Sequence, residues 1–363
     1  MLPSSKKRVL LVDDAVVVRK AMSDAIARDP DLQVVATAVN GRVALAKFGT
    51  VKPDIVLLDI EMPEMDGLET VRELRKVDRR VPIVMFSTLT ERGASITLEA
   101  LALGATDYVA KPSNVNGAAT FETVTSELIP KIRVLCHLPG LRENLVPEWK
   151  PPGSPKLVPQ PRILSPVQIV VIGVSTGGPD ALAQLLPTLP ADLPIPILIA
   201  QHMPPIFTSM LANRLSLKSR LTVRECVPGD PLVPGYAFIA PGDFHMVVQQ
   251  DGPIPCIGTH QEAKENFCRP SVDVLFRSVA GVFGARTLAI ILTGMGQDGL
   301  KGCEVLRGLG ARVYVQDENT SVVWGMPGFV AKAGLADKVL PLDQIGPEIV
   351  RATTMQIAAR TQS

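Results

Sequence analysis

Residues 170–179 read VVIGVSTGGP: an apolar run, a serine and a threonine, then two glycines and a proline. An unbroken apolar run marks a strand buried on both faces, as strands of a parallel sheet are. The glycines that follow permit a tight turn into a helix, so two hydroxyls sit where a strand becomes a helix. Working outward, QIVVIGV, IPILIAQ, YAFIAP, TLAIILTG and ARVYVQ read as strands, separated by helical patterns such as DALAQLLPTL and VDVLFRSVAGVFG. Strands alternating with helices predict an α/β domain over residues 166–355, built on a doubly wound parallel sheet.

The N-terminal part repeats this grammar. RVLLVDD, LQVVATA, PDIVLLDI, VPIVMFS and TDYVAKP predict five strands and a second doubly wound sheet over residues 6–130. Between the two, the apolar periodicity lapses and Pro139, Pro147, Pro151, Pro152, Pro155, Pro159, Pro161 and Pro166 accumulate. Residues 131–165 therefore read as a Pro-rich linker. Two domains also suit 363 residues, at roughly 150 residues per domain.

The totals exclude several classes. Lys plus Arg (37) and Asp plus Glu (36) leave a formal charge of +1, so no global field draws the chain to nucleic acid or anionic lipid. A transcription factor with a basic recognition helix loses its support. No run approaches the ~18 apolar residues of a membrane span, and Lys6, Lys7 and Arg8 lead into a strand and not a signal core. The five cysteines, Cys136, Cys226, Cys256, Cys268 and Cys303, lack a metal-ligand spacing and read as reduced and structural. A soluble, cytoplasmic protein is expected.

In a doubly wound sheet, ligands bind at the carboxyl ends of the strands. In the first domain those ends carry Asp13 and Asp14, Asp59, Ser87, and Lys111 after the fifth strand. Each carboxylate alone would read as a strand-end or helix-capping residue. Together, Asp13, Asp14 and Asp59 would repel one another unless a cation intervened, and hard oxygen ligands suit Mg²⁺. Asp59 could then attack a phosphoryl donor, with Ser87 and Lys111 holding phosphoryl oxygens and Tyr108 reporting the change. Through LLVDDAVVVRK, VLLDIEMPEMDGLE, VMFST and GATDYVAKP this region resembles the receiver domain of bacterial response regulators, a flavodoxin-like fold. Ala15 departs from the Ser found in many receivers after the acidic pair, removing a hydroxyl but no metal ligand.

For GVSTGGP two readings compete: a glycine loop cradling phosphate, or a serine nucleophile on a strand-to-helix turn. A dinucleotide site would want an acid about 20 residues on, where the chain reads IPILIA, and a P-loop would want a Lys beside the hydroxyl residue. For a nucleophile, Ser175 needs a base and the base an orienting carboxylate; His202 follows IPILIAQ and Asp298 follows TLAIILTG. Taken singly, Ser175 reads as a helix cap, His202 as a structural histidine and Asp298 as a turn residue. His137, His245 and His260 lack such support and are expected to be structural. Gly294 and Gly296 flank Met295, whose amide could join that of Thr176 as an oxyanion hole, or the segment is a flexible turn.

The segments VSTGGP, QHMPPIFTSMLANRL, FIAPGDFHM, RPSVDVLFRSVA, ILTGMGQDGLKG and QDENTSVVWGMPG are similar to the catalytic domain of the chemotaxis protein-glutamate methylesterase family, CheB. The resemblance implies a Rossmann-like methylesterase domain in which Ser175 attacks the γ-methyl ester of a chemoreceptor glutamate, with His202 as base oriented by Asp298. Methanol leaves and water releases glutamate; receptor glutamines could be deamidated through the same acyl-enzyme. It also implies a cognate histidine kinase as phosphodonor, Mg²⁺ in the receiver, no cofactor in the esterase, and relief of receiver inhibition when Asp59 is phosphorylated. The Ser, His, Asp order separates this arrangement from the Ser, Asp, His order of α/β-hydrolases. The rival expectation is a response regulator whose second domain binds a partner without hydrolysis.

Overall fold

The computed structural model describes residues 6–111, 118–138 and 165–360, in two compact units divided near residue 148. In the first unit, β1 (Lys7–Val12), β2 (Leu32–Ala38), β3 (Ile55–Asp59), β4 (Ile83–Ser87) and β5 (Asp107–Ala110) form a parallel sheet ordered β2-β1-β3-β4-β5. The helices are α1 (Val16–Ile26), α2 (Gly41–Val51), α3 (Gly67–Val77), α4 (Glu91–Ala102) and α5 (Ala118–Leu135). β3 and β4 are buried at every residue because helices cover both faces. Helix starts are written locally: Asn40, Asp66 and Thr90 each accept a hydrogen bond from the backbone N–H three residues on. α1 begins at Ala15 without a side-chain cap.

This unit continues past residue 130, where the linker was expected to start. α5 runs to Leu135, with Leu128, Ile132, Leu135, Cys136 and Leu138 buried, and Arg133 donates to Asp29 and Asp31 at 2.7 and 2.8 Å. An apolar stripe at helical spacing carries this extension up to the proline-rich stretch. The rest of the expected linker, residues 139–164, lies outside the described residues.

The second unit has a seven-stranded parallel sheet ordered β14-β13-β12-β6-β7-β9-β8 and an antiparallel hairpin, β10-β11. Its strands are β6 (Ile169–Val174), β7 (Ile197–Gln201), β8 (Thr222–Glu225), β9 (Tyr236–Ile239), β10 (His245–Gln249), β11 (Cys256–His260), β12 (Thr287–Ile291), β13 (Arg312–Gln316) and β14 (Lys338–Leu340). Its helices are α6 (Gly178–Leu185), α7 (Phe207–Lys218), α8 (Val272–Phe283), α9 (Leu300–Gly308), α10 (Met326–Lys332) and α11 (Leu342–Arg360). The expected strands are all present. β8, β10, β11 and β14 were not foreseen, being short or partly polar (TVRE, HMVVQ, CIGTH, KVL).

From β6 the chain moves to β7, β9 and β8 on one side, then returns to build β12, β13 and β14 on the other. The topological switch point is therefore the crevice between β6 and β12, where such sheets bind ligands. Gly173 in β6 faces α8; a Cβ there would overlap Val272 Cγ1 and stand 2.8 Å from Val272 Cγ2. Gly173→Val should lower the stability of the second unit by about 1–3 kcal/mol through overpacking, read as a reduced urea midpoint. An unchanged midpoint would contradict this account of β6–α8 packing.

Candidate active site

Register brings the second unit's candidates together. Val174 pairs with Gln201 across β6 and β7, so Ser175 and His202 leave adjacent strand ends one residue later. Backbone bonds continue the alignment: His202 N–H donates to Val174 O at 3.2 Å, and Ser175 N–H to Thr293 O at 3.0 Å. Asp298 lies beyond β12, on the other flank of β6. Three neighbouring strands thus deliver the three residues to the switch-point crevice.

The strongest contact is between His202 and Asp298. His202 Nε2–H donates to Asp298 Oδ2 at 2.8 Å, and Asp298 is 2 % exposed. A carboxylate this deep needs donors, and the start of α8 supplies them. Asp298 Oδ2 accepts from Val272 N at 2.7 Å; Oδ1 accepts from Asp273 N at 3.0 Å, Ser271 Oγ at 2.9 Å and Asn266 Nδ2 at 2.9 Å. Asp298 therefore caps a helix that lies elsewhere in the sequence, taking the place of Ser271, whose own oxygen makes no cap bond. Burial alone would push the Asp298 carboxyl up, but the bonds from His202 and the α8 amides outweigh it and hold the carboxyl well below its ordinary range. For His202, burial disfavours the charged ring, yet the Cys268 sulfur and Asp298 carboxylate raise its proton affinity well above the ordinary value.

The contact expected between Ser175 and His202 is not made in this state. His202 Nδ1 faces Cys268 Sγ at 3.5 Å, and among the described residues Ser175 Oγ has no hydrogen-bond partner. Cys268, read from its spacing as a structural residue, is the group that meets His202 Nδ1 here. The turn itself is well held: Gly178 N–H donates to Ser175 O at 2.8 Å, and the buried Gln201 donates from Nε2 to Ser175 O at 3.0 Å. Gly177 has φ +77°, and a Cβ on Gly178 would overlap Gln201 Oε1, so both glycines are required. Among the described residues the Met295 N–H has no partner, leaving it available to a ligand, while Thr176 is buried.

Of the other histidines, His245 is fully buried; it accepts from Ser271 N–H through Nδ1 at 3.2 Å and so donates from Nε2 to Ala263 O at 3.1 Å. It is a neutral structural ring steadying the start of α8, with burial lowering its proton affinity. His260 ends β11 with its ring tilted 42° to that of His245 and the centroids 5.3 Å apart, and His137 follows α5. Asn266, Cys268, Ser271 and Gln201 escaped the sequence reading because each acts through a fold contact.

In the first unit three carboxylates come together. Ligand oxygens of Asp13, Asp14 and Asp59 lie within 4.8 Å of one another. Lys111 Nζ pairs with Asp59 Oδ2 at 2.7 Å and lies 3.1 Å from Asp13 Oδ2, which has no hydrogen-bond partner among the described residues. Asp59 Oδ1 accepts from Ile60 N–H at 2.7 Å. Burial raises the Asp59 pKa to about 6, against the lowering effect of Lys111. A cavity of about 310 Å³ opens here, lined by Asp14, Asp59, Ile60, Glu61, Thr88 and Lys111. Ser87 is turned away from it: Ser87 Oγ accepts from Thr97 Oγ1 at 2.6 Å and donates to Gly93 O at 3.2 Å, inside the α4 packing. Tyr108 is buried, with Lys131 Nζ 5.4 Å from its ring centroid, and burial raises its pKa well above the ordinary value.

A receiver-type phosphoacceptor fold followed by a switch-point hydrolase site defines a response regulator with an enzymatic output domain. Residues 9–119 match the response regulator receiver domain family and residues 170–349 the CheB methylesterase family. A protein-glutamate methylesterase/protein-glutamine glutaminase of Trichodesmium erythraeum is 47% identical over 348 residues, spanning 95% of this chain and 99% of the relative. One of Nocardioides sp. is 49% identical over 352 residues, 96% of each. The crystal structure of the Thermotoga maritima CheB methylesterase catalytic domain is 42% identical, covers 52% of this chain and 99% of its own, and superposes with a TM-score of 0.50. The chain belongs to the family of protein-glutamate methylesterase/protein-glutamine glutaminases. Among the described residues no helix is long and apolar enough to cross a membrane.

If Asp298 holds the His202 proton, Asp298→Asn should bring the imidazole pKa down by at least one unit, followed by NMR of the ring. An unchanged titration would assign the shift to Cys268 alone.

Proposed function

We propose that this chain hydrolyses γ-methyl esters of glutamate side chains on chemoreceptors, and deamidates receptor glutamines, by acyl-enzyme catalysis at Ser175. The observation that carries this reading is the delivery of Ser175, His202 and Asp298 by three adjacent strand ends to one crevice, with the His202–Asp298 bond already formed. The names carried by relatives covering nearly the whole chain supply the substrate class.

The proton accounting follows from which nitrogen is free. Nε2–H is committed to Asp298, so Nδ1 receives the Ser175 proton once the Cys268 contact gives way. Ser175 Oγ attacks the ester carbon, and the N–H groups of Met295 and Thr176 receive the oxyanion. The imidazolium, held against Asp298, returns its proton to the methoxy oxygen; the C–O bond breaks and methanol leaves. Water then attacks the acyl-enzyme by the same path and releases glutamate. For a glutamine the leaving group is ammonia.

Regulation enters through the first unit. Asp13, Asp14 and Asp59 with one lysine leave a local charge of about −2, which fits a divalent oxygen-seeking cation such as Mg²⁺. Bound there, that ion would neutralise charge between the carboxylates and an incoming phosphoryl group. Asp59 is the phosphoacceptor, a histidine kinase the donor, and Lys111 exchanges its Asp59 contact for a phosphoryl oxygen. Ser87 would have to leave Thr97 and Gly93 to join, coupling phosphorylation to α4. The five free cysteines are in keeping with a reducing cytoplasm.

Two experiments test the reading. Methylated receptor membranes should release methanol with the full-length chain, and Ser175→Ala should lower the rate by about 10³-fold or more, together with loss of fluorophosphonate labelling. Labelling that survives the substitution would remove Ser175 from the mechanism. Separately, Asp59→Asn should retain basal methanol release and lose its stimulation by acetyl phosphate with Mg²⁺; stimulation that persists would move regulation elsewhere.

A further inference from the structure

Among the described residues, two groups of side chains are spaced to hold a metal ion, and they differ in hardness. The receiver cluster offers only carboxylate oxygens. The second group, His202, Cys268 and Asp298, offers nitrogen and sulfur, which select a different class of ion. We propose that Cys268 and His202 form a binding site for a soft divalent cation of the zinc class, and that its occupancy inhibits hydrolysis.

The geometry is already that of a chelate. A tetrahedral zinc ion with bonds of about 2.3 Å to sulfur and about 2.0 Å to nitrogen holds those atoms about 3.5 Å apart. Cys268 Sγ and His202 Nδ1 are 3.5 Å apart. The second ring nitrogen donates to a buried carboxylate, the outer partner that metal-binding histidines usually have. Asp298 is occupied by the α8 amides, Ser271 and Asn266, so it orients the ring and leaves coordination to the other two.

Cys268 is fixed by the same network. Glu265 and Cys268 exchange backbone hydrogen bonds at 2.9 and 3.2 Å, and Asn266 and Phe267 between them have φ of +51° and +63°. Asn266 Nδ2 donates to both Asp298 and Asp273 at 2.9 Å, tying this turn to the carboxylate that holds His202. Cys268 is also partly exposed, whereas Cys136, Cys226 and Cys303 are buried. Binding releases to solvent the proton that the Cys268–His202 pair holds between Sγ and Nδ1 and takes a lone pair from each atom, leaving the remaining coordination positions to water. The inhibitory half of the proposal rests on the reading of His202 as the base, since the same lone pair must accept the Ser175 proton; the binding half does not.

The test uses the full-length chain with Mg²⁺ present to fill the acidic cluster, and Co²⁺ as the spectroscopic probe. Co²⁺ should produce a thiolate-to-metal charge-transfer band that Zn²⁺ displaces. Cys268→Ser and Cys268→Ala should each abolish it, and Cys256→Ala should keep it. Absence of the band in the unsubstituted chain, or its survival in both Cys268 variants, overturns the site. Methanol release, measured relative to each protein's own metal-free rate, should be inhibited by Zn²⁺ at a concentration at least about tenfold lower in the unsubstituted chain than in Cys268→Ala. Equal sensitivity overturns the inhibitory claim. Should methanol release be absent altogether, the cobalt band still reports the site, so failure of the esterase reading and failure of this one are separable.

Discussion

A carboxylate held at 2 % exposure is unfavourable unless donors surround it, and Asp298 is surrounded. The α8 amides, Ser271 and Asn266 stabilise its charge from one side, and His202 meets it from the other. A single side chain thereby joins the end of β12, the start of α8, the Cys268 turn and the end of β7. Its anchoring makes the imidazole's orientation a property of the fold, since rotating the ring would cost the Asp298 bond. The same charge favours imidazolium, the state that forms when a nucleophile's proton is taken. The other ring nitrogen, Nδ1, faces Cys268 Sγ at 3.5 Å.

The two units treat buried acid in opposite ways. At Asp298 the protein completes the hydrogen bonding and fixes the group in its ionised form. Around Asp59 it supplies one lysine and two amides, Ile60 N–H to Asp59 and Ala15 N–H to Asp13, for three neighbouring carboxylates, and burial lifts the Asp59 pKa to about 6. That incomplete compensation, next to a cavity, suits a site meant to receive a cation and a phosphoryl group. Complete compensation suits a residue whose work is to hold another still.

Both sites sit at the carboxyl ends of parallel strands, where successive strands converge and their loops diverge. In the second unit this placement depends on small residues: Gly173 admits α8 to the sheet, and Gly178 admits the Gln201 amide that holds the Ser175 carbonyl. These constraints lie beneath the reacting groups, so they act on position and not on chemistry.

The two parallel sheets can be read from the chain alone, because apolar runs such as VVIGV and IVLLD are recognisable without knowing their neighbours. The chain also placed Asp13, Asp59, Ser175, His202 and Asp298 at strand ends, since in this fold class a strand's end is a functional address. Which groups touch follows from the folded packing. The Cys268–His202 contact joins residues 66 positions apart, and the Asp298 cap on α8 spans 26, so no local pattern encodes either. Ser87 was assigned the correct address but turns into α4, because side-chain direction follows the packing of neighbours and not the order of the strands. The short strands β8 and β14 likewise formed only because an existing sheet edge offered hydrogen bonds that their own residues were too few and too polar to announce.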